Sequence, residues 1–149
     1  METLKEAKQY LRDNWEKGTD CPCCGQRVQL YKRKVSSTAA QSLILLVKKY
    51  KAEQRYYHVT ELEAPASGGE FARLRWWGLI NEAENDDSMK RTSGYWKPSE
   101  LGILFVENKI EVPAYKMMYN AKPQSTSEET INIIQALNEV FDYSELMRG

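Results

Sequence analysis

The sequence predicts a mixed α+β fold, and two patterns along the chain support this prediction. Several segments repeat apolar residues at the spacing of an amphipathic helix, and shorter segments between them alternate apolar and polar residues as strands do. The chain has 149 residues, of which 42% are hydrophobic and 11% are aromatic. This length and composition suffice for one domain with a real core and short appendages.

The N-terminal part is predicted to hold a helix, a cysteine-rich turn and a strand. The helix covers 3–17, opens with a capping box between Thr3 and Glu6, and ends before Gly18. Its apolar stripe comprises Leu4, Ala7, Leu11 and Trp15. The motif CPCCG follows at 21–25, and QRVQLYKRKV after it alternates loosely. We therefore expect a short strand to leave directly from the cysteine turn.

Three helical segments are predicted between residues 37 and 78. The first covers 37–54, the second is a short piece over 60–64 with Thr60 as its N-cap, and the third covers 69–78 and ends at Gly78. The apolar faces of the first and third comprise Ala40, Leu43, Ile44, Val47 and Tyr50, and Phe71, Leu74 and Trp77.

A hairpin and a further helix are predicted next. The segments 78–84 and 94–98 are expected to be strands joined by a polar loop, and Ser99 is expected to cap a helix that runs to about residue 108. A strand over 110–120 contains Pro113, which favours a sheet edge.

The C-terminal part is predicted to be helical. QSTSEE at 124–129 contains two overlapping capping boxes, Ser125 with Glu128 and Thr126 with Glu129. The stripe of the helix is expected to be Thr130, Ile134, Leu137 and Phe141. The whole pattern divides the chain into a helix and cysteine turn at 1–36, a core at 37–122, and a C-terminal helix and tail at 123–149.

The order of the central elements is that of a winged helix-turn-helix. LRWWGLI at 74–80 resembles the end of the recognition helix in MarR-like repressors, and YWKPSELG at 95–102 resembles the segment that closes their wing and caps the next helix. The resemblance covers about residues 37–110 and implies a winged-helix fold. Winged helices also serve as protein-binding modules, so the resemblance alone does not choose a function.

A second resemblance covers nearly the whole chain. CPCCGQRVQLYKRKV, GGEFARLRWWGLI, KIEVPAYKMMYN and FDYSELMRG are similar to a group of small phage-encoded proteins that carry a CPxCG zinc-knuckle-like motif and have no agreed activity. This resemblance implies a phage origin and action in the bacterial host cytoplasm. The absence of an apolar run of about 20 residues and of a secretory signal pattern agrees with that compartment and predicts no membrane partner.

The charges are unevenly distributed along a chain whose net charge is zero. Between Arg27 and Arg55 there are eight Lys and Arg and one acid, whereas five acids and one Arg follow Lys122. Such asymmetry fits a nucleic-acid surface. The alternative is that the charges mix in the folded protein.

Double-stranded DNA is predicted to contact the 69–78 helix and the wing, which covers 82–97. Arg73 and Arg75 are the candidates for base or phosphate contacts, and Lys90, Arg91 and Lys97 would hold the DNA backbone. Nearby acids would repel phosphate: Glu70, Glu82, Glu84, Asp86 and Asp87. In the alternative interpretation the arginines lie along Trp76 on an ordinary scaffold, and Trp76 is either packed or an anchor for a protein partner.

A basic run beside the cysteine turn, Lys32, Arg33 and Lys34, follows Tyr31. The ring could stack on a base while the three cations meet phosphates. A charged, protected strand edge is the alternative.

The cysteine turn is a candidate metal site. Cys21 and Cys24 have the spacing of a zinc knuckle, but a closed zinc site needs four ligands and the chain has no second Cys-x-x-Cys. His58 could be a third ligand, with Cys23, a carboxylate or water as the fourth, or two chains could each lend a cysteine pair. A redox pair and a metal-free turn are the remaining alternatives.

These patterns predict a binding protein rather than an enzyme. The chain contains no G-x-S-x-G, phosphate-loop or H-E-x-x-H motif. The first hypothesis is DNA binding with a regulatory role, and the second is an interaction module for a host or phage protein. The apolar stripes of the terminal helices predict either a homodimer or completion of a monomer's core.

Overall fold

The computed structural model of the chain describes residues 3–66, 68–84, 93–119, 122–138 and 142–148. Helices and short antiparallel strands occur together along it, which confirms the predicted mixed α+β class. The residues group into two compact units, and each unit is built from two stretches of chain. The cysteine unit comprises Met1–Lys34 and Tyr115–Ser127, and the helical unit comprises Val35–Ala114 and Glu128–Gly149. The three-part division along the chain stays a prediction.

The cysteine unit begins with helix α1, Leu4–Asn14, whose N-cap Thr3 accepts a hydrogen bond from the backbone N–H of Glu6. The helix ends three residues before the predicted end. The chain then turns through Gly18, whose φ of 88° suits glycine. Strands β1, Thr19–Asp20, and β2, Arg27–Val28, pair antiparallel and close the cysteine turn between them.

A three-stranded antiparallel sheet completes the cysteine unit. It contains β3, Tyr31–Arg33, together with β8, Lys116–Tyr119, and β9, Lys122–Thr126, in the order β3-β8-β9. The prediction that QSTSEE opens a helix is therefore wrong. Ser125 and Thr126 pair with strand β8 instead, because the ladder satisfies their backbone groups more fully than a local cap would.

The helical unit is organised around helix α2, Ser37–Ala52, which is capped by Ser36 through a hydrogen bond from the backbone N–H of Ala39. Leu43, Ile44 and Leu46 on this helix are completely buried. The sequence predicted this helix to within two residues at its C-terminal end. Its long apolar face is the surface on which the remaining elements of the unit pack.

Strand β4, Tyr57–His58, and a 3₁₀ turn, Val59–Leu62, follow helix α2. The predicted N-cap Thr60 is wrong by two residues, because the ring Nδ1 of His58 accepts the hydrogen bond from the backbone N–H of Thr60 at 3.3 Å. The His58 N–H in turn donates to Glu61, which completes a capping box.

The predicted 69–78 helix consists of two pieces. Helix α3, Gly68–Ala72, continues as a 3₁₀ helix, Arg73–Trp77, and Gly78 ends it in the left-handed conformation with φ 71°. The tighter helix places Leu74 and Trp77 on one buried face, because a 3₁₀ helix has three residues per turn. The indole N–H of Trp77 donates to the carbonyl of Pro113 at 2.9 Å, which anchors this end of the segment.

Strands β5, Ile80–Glu82, and β6, Tyr95–Pro98, form a three-stranded antiparallel sheet with β4 in the order β4-β6-β5. Both strands of the predicted hairpin are thus confirmed. Trp96 on the central strand is completely buried and meets Phe71 of helix α3 edge to face, with ring centroids 6.2 Å apart. The sheet is therefore fixed to helix α3 by aromatic packing.

Helix α4 covers Glu100–Val106 and is capped by Ser99 as predicted. The next strand, β7, Val112–Pro113, pairs with β10, Thr130–Ile131, and β10 leads into helix α5, Ile133–Leu137. Helix α6 covers Tyr143–Arg148.

The predicted C-terminal helix is wrong in its start, and its predicted stripe is correct at Leu137, which is buried, but wrong at Ile134. Asn132 caps helix α5 and forms a capping box with Gln135, so the helix begins later than the predicted one. Ile133 is completely buried, whereas Ile134 is 48% exposed. Phe141 lies outside the described residues.

Helix α4 lies very close to the chain that enters strand β5. A Cβ atom on Gly102 would overlap the carbonyl oxygen of Leu79. Ser99 reinforces this approach, because its backbone N–H donates to Leu79 at 3.0 Å and its hydroxyl donates to the carbonyl of Gly78. The position therefore accepts only glycine without movement of the backbone.

We expect Gly102→Ala to lower the free energy of unfolding by about 1–3 kcal/mol, the usual range for overpacking in a core. Urea unfolding measures the change. Gly69→Ala is the matched control, because no heavy atom lies within 4 Å of a Cβ built there. That control should be neutral or stabilising by about 0.5–1 kcal/mol, since it replaces a helical glycine. Equal losses in the two variants would contradict the proposed steric cause.

A second prediction concerns acid stability. The Arg55 guanidinium, 2.9 Å from Glu61, holds the pKa of that carboxyl below its usual value, and the His58 N–H adds to this effect. A depressed folded pKa means that the stabilisation is complete above the ordinary glutamate pKa of about 4.3 and is lost as the pH falls through the folded value. Glu61→Gln should therefore flatten the pH dependence of the unfolding free energy below about pH 4.3.

Urea unfolding at a series of pH values measures this dependence, and Glu63→Gln is the control because Glu63 is an exposed carboxylate of the same segment. A Glu61→Gln profile as steep as that of the wild type would show that the Arg55 pair does not contribute.

Candidate functional site

The CPCCG motif forms a tight turn between strands β1 and β2. The backbone N–H of Cys21 donates to Gln26 at 2.7 Å, and the N–H of Gly25 donates back to Cys21 at 2.8 Å. Gly25 has a φ of 75°, in the left-handed region that glycine adopts freely. The turn is therefore closed by its own backbone and does not depend on a metal for its hydrogen bonds.

The first cysteine of this turn is the centre of a group of donors. The backbone N–H groups of Cys23 and Cys24 lower the pKa of the Cys21 thiol, and the Cys24 and Cys23 side chains act in the same direction. Cys23 and Cys24 are exposed, and Cys21 is half-buried. This arrangement stabilises a thiolate at Cys21, which is the form that binds metal and reacts.

The described residues contain no group of three or more His, Cys, Asp and Glu side chains placed to hold a metal ion. The turn thus offers two cysteine side chains, Cys21 and Cys24, which is half of the ligand set of a tetrahedral zinc site. The cysteine chemistry fits zinc, and the rest of the ligand set is not found in the described part of this chain.

His58, the predicted third ligand, lies in the helical unit and has local contacts there. Its Nδ1 caps the 3₁₀ turn and lies 2.8 Å from the Thr60 hydroxyl oxygen. Its ring meets Tyr95 edge to face at 4.9 Å, and a Cβ on Gly94 would lie 2.7 Å from its Nε2. These contacts account for His58 as a capping and packing residue of the β4–β6 pair.

The two predicted arginines of the 69–78 segment are exposed to solvent. Arg73 and Arg75 flank the buried Leu74, and neither forms an ion pair within the described ranges. Trp76 is half-buried and tilted against Trp77, with ring centroids 6.4 Å apart. The segment therefore presents two cations on a surface whose other side is anchored in the core.

The other residues predicted for the wing are only partly described. Lys97 on strand β6 is half-buried, and its Nζ lies 5.2 Å from the centroid of the Tyr56 ring. Lys90 and Arg91 lie outside the described residues, as do Asp86 and Asp87.

Two of the nearby acids have structural partners. Glu70 accepts hydrogen bonds from the hydroxyls of Thr38, at 2.6 Å, and Ser36, so it ties the start of helix α3 to the start of helix α2. Glu82 accepts from the backbone N–H of Ser93 at 3.1 Å, across the base of the hairpin. Both carboxylates thus hold the scaffold on which Arg73 and Arg75 are displayed.

The basic run of the cysteine unit lies on an edge strand. Lys32 and Arg33 belong to strand β3, Lys34 follows it, and all three are exposed. The Lys32 ammonium sits 3.7 Å above the Tyr115 ring, and the Arg33 guanidinium lies 5.5 Å from the Tyr31 ring. Two of the cations on this edge therefore lie near tyrosine rings.

The formal charge differs between the two units. The cysteine unit contains ten Lys and Arg and five Asp and Glu, which gives +5, and because the whole chain is neutral the helical unit carries −5. The basic segment from Arg27 to Arg55 is divided between the units. The positive excess therefore belongs to the cysteine unit and not to the unit that carries Arg73 and Arg75.

A shallow cleft of about 290 Å³ opens on the cysteine unit, and the sequence did not predict it. It is lined by Gln26, Arg27, Gln29, Tyr31 and Tyr119. Tyr119 is distant from the others along the chain and joins them only because β3 pairs with β8, where Tyr31 lies opposite Met118. The other four lining residues lie within 26–31, where the loose alternation of polar and apolar residues was the available signal.

Comparisons of the chain with protein-family models, curated proteins and solved structures found no match. Within the described part of the chain, no helix is long and apolar enough to span a membrane.

Proposed function

We propose that the protein is a DNA-binding protein whose helical unit is a winged helix-turn-helix. The order of elements supports this proposal: helix α2, strand β4, a 3₁₀ turn, helix α3 with its 3₁₀ extension, and the strands β5 and β6. The sheet order β4-β6-β5 supports it further, since the last strand of the hairpin lies between the other two, as in winged helices. The second helix of the motif is reduced to a single 3₁₀ turn.

The observation that carries the DNA-binding proposal is the exposure of Arg73 and Arg75 on the segment where a winged helix has its recognition helix. Guanidinium groups there are suited to guanine edges in the major groove and to phosphates. The buried Leu74 and Trp77 hold the segment from behind, so the arginines are displayed from a fixed backbone. A regulatory role in a phage-infected bacterial cytoplasm is part of the same proposal.

A second candidate is an interaction module for a host or phage protein. It is favoured by the −5 formal charge of the helical unit, which opposes binding to phosphate. Leu101 is 50% exposed and Ile134 is 48% exposed, and such side chains suit a protein partner. DNA binding through Arg73 and Arg75 requires their local positive field to prevail over this charge.

Replacing Arg73 and Arg75 together by Ala should weaken binding to duplex DNA and reduce the slope of log affinity against log salt by about 2, since each lost phosphate contact removes about 0.9 from the slope. Fluorescence anisotropy with a labelled random-sequence duplex over a salt series measures both quantities. A base contact would add a loss of specificity of about 1–3 kcal/mol.

The matched control is the double variant Lys49→Ala with Arg148→Ala, which removes the same charge from exposed positions of the same unit. Equal affinity and slope in the wild type and the Arg73/Arg75 variant would favour the protein-interaction module instead.

We also propose that the cysteine turn holds a structural zinc ion shared between two chains. Cys21 and Cys24 of each chain would supply the four thiolates of a closed site, which a single turn cannot. The donors around the Cys21 sulfur support this assignment, because they favour the thiolate that zinc requires. A homodimer follows from the same arrangement.

Native mass spectrometry should find two chains with one zinc ion, and both a chelator and Cys24→Ser should release the metal and separate the chains. His58→Asn is the control, because asparagine is an accepted N-cap and His58 is not a ligand in this arrangement. Loss of zinc in His58→Asn alone would identify a single-chain site, and a metal-free wild-type protein would refute the zinc proposal.

A further inference from the structure

We propose that the cleft of the cysteine unit binds an unpaired base of a single-stranded nucleic acid. This proposal is independent of duplex binding by Arg73 and Arg75, because it concerns other residues in the other unit. It starts from the composition of the cleft: two tyrosine rings, two carboxamides and one guanidinium around a shallow opening of about 290 Å³.

The aromatic rings supply the surface on which a base would stack. Tyr31 on the edge strand β3 is 50% exposed, and Tyr119 is half-buried on the neighbouring strand β8. Trp15 supports Tyr119 from behind, with ring centroids 5.7 Å apart. A base offers its flat face to such rings only when it is not stacked in a duplex, so the cleft favours a single strand.

The polar side chains supply hydrogen bonds to the edge of a base. Gln26 and Gln29 each carry one carbonyl acceptor and two N–H donors on the amide, which suits the mixed edges of nucleobases. The Arg27 guanidinium lies against Gly18, where a Cβ atom would overlap it. The same Cβ would lie 3.1 Å from the Gln29 oxygen, so Gly18 leaves room for both side chains.

The charges around the cleft fit the phosphates on either side of the bound base. Arg27 is exposed and forms a 3.8 Å ion pair with Asp20, and Lys32, Arg33 and Lys34 continue along the edge strand from Tyr31. The unit as a whole carries +5. A polyanion with free bases therefore matches both the charge and the rings of this surface, whereas an acidic peptide would leave the rings unused.

The test uses the full chain and a fluorescein-labelled oligothymidylate of about a dozen nucleotides, which falls in the usual range of site sizes for single-strand binders. Tyr31→Ala should weaken binding by between about 5-fold and about 100-fold, the range for loss of one base–aromatic stack. Tyr31→Phe should bind as the wild type does, because it keeps the ring. Circular dichroism confirms that both variants fold.

Two variants that each remove one positive charge complete the test. Arg27→Gln should lower the salt slope for the single strand by about 0.7, which is one phosphate contact. Arg12→Gln, an exposed arginine of helix α1 in the same unit but away from the cleft, should leave the slope unchanged. The Arg73/Arg75 double variant should also bind the oligothymidylate normally, so failure of the two proposals is distinguishable.

An oligodeoxyuridylate and an oligouridylate of the same length identify the sugar, because they carry the same base and differ only at the 2′ position; tighter Tyr31-dependent binding of one of them shows whether DNA or RNA is the ligand. Equal binding of the wild type and Tyr31→Ala to both oligomers would overturn the proposal. So would equal displacement of the oligothymidylate by inorganic polyphosphate at matched charge, since that result would mean that phosphate alone is recognised.

Discussion

Helix α4 approaches the backbone of Leu79 so closely that only glycine fits at position 102, and the order of the helical unit depends on this contact. Ser99 links helix α4 to the chain at Gly78 and Leu79, because it caps the helix and also donates hydrogen bonds to the carbonyls of these two residues. The contact therefore fixes where the 3₁₀ segment ends, where strand β5 begins and how strand β6 returns to helix α4. The display of Arg73 and Arg75 is a consequence of this junction, since their segment is attached to it at Gly78.

The elements predicted correctly from the sequence are those with a local cause. Helix α2 has a long apolar face, helix α4 has Ser99, and Gly78 ends the segment before it, so each carries its own signal. The C-terminal stretch failed because two local caps in QSTSEE compete with a strand pairing that no local pattern shows. The capping box of Asn132 and Gln135 lies only a few residues after QSTSEE, so the same helix start was assigned to the earlier pair.

The candidate sites also differ in whether their cause is local in the sequence. The CPCCG motif predicted a tight turn, because the geometry of the turn is contained within five residues. The cleft beside it could not be predicted, since Tyr119 reaches it only through the pairing of strands β3 and β8. The distribution of charge along the sequence was misleading as a guide to the binding surface, because it does not show which residues share a unit. A basic segment that is continuous along the chain is divided between the two units, and the excess remains with the one that carries the cysteines.

Each unit is assembled from two separated stretches, so the chain passes from one unit to the other three times. Strand β3 of the cysteine unit pairs with β8, which follows it by more than 80 residues of chain. Strand β7 of the helical unit likewise pairs with the later strand β10, which leads into helix α5. During synthesis on the ribosome, the cysteine unit is complete once Ser127 has emerged, whereas the helical unit also needs the residues from Glu128 onward. The cysteine unit can therefore fold first, although the helical unit begins earlier than the second stretch of the cysteine unit, and a nascent chain stalled at residue 114 would hold an unfinished version of both.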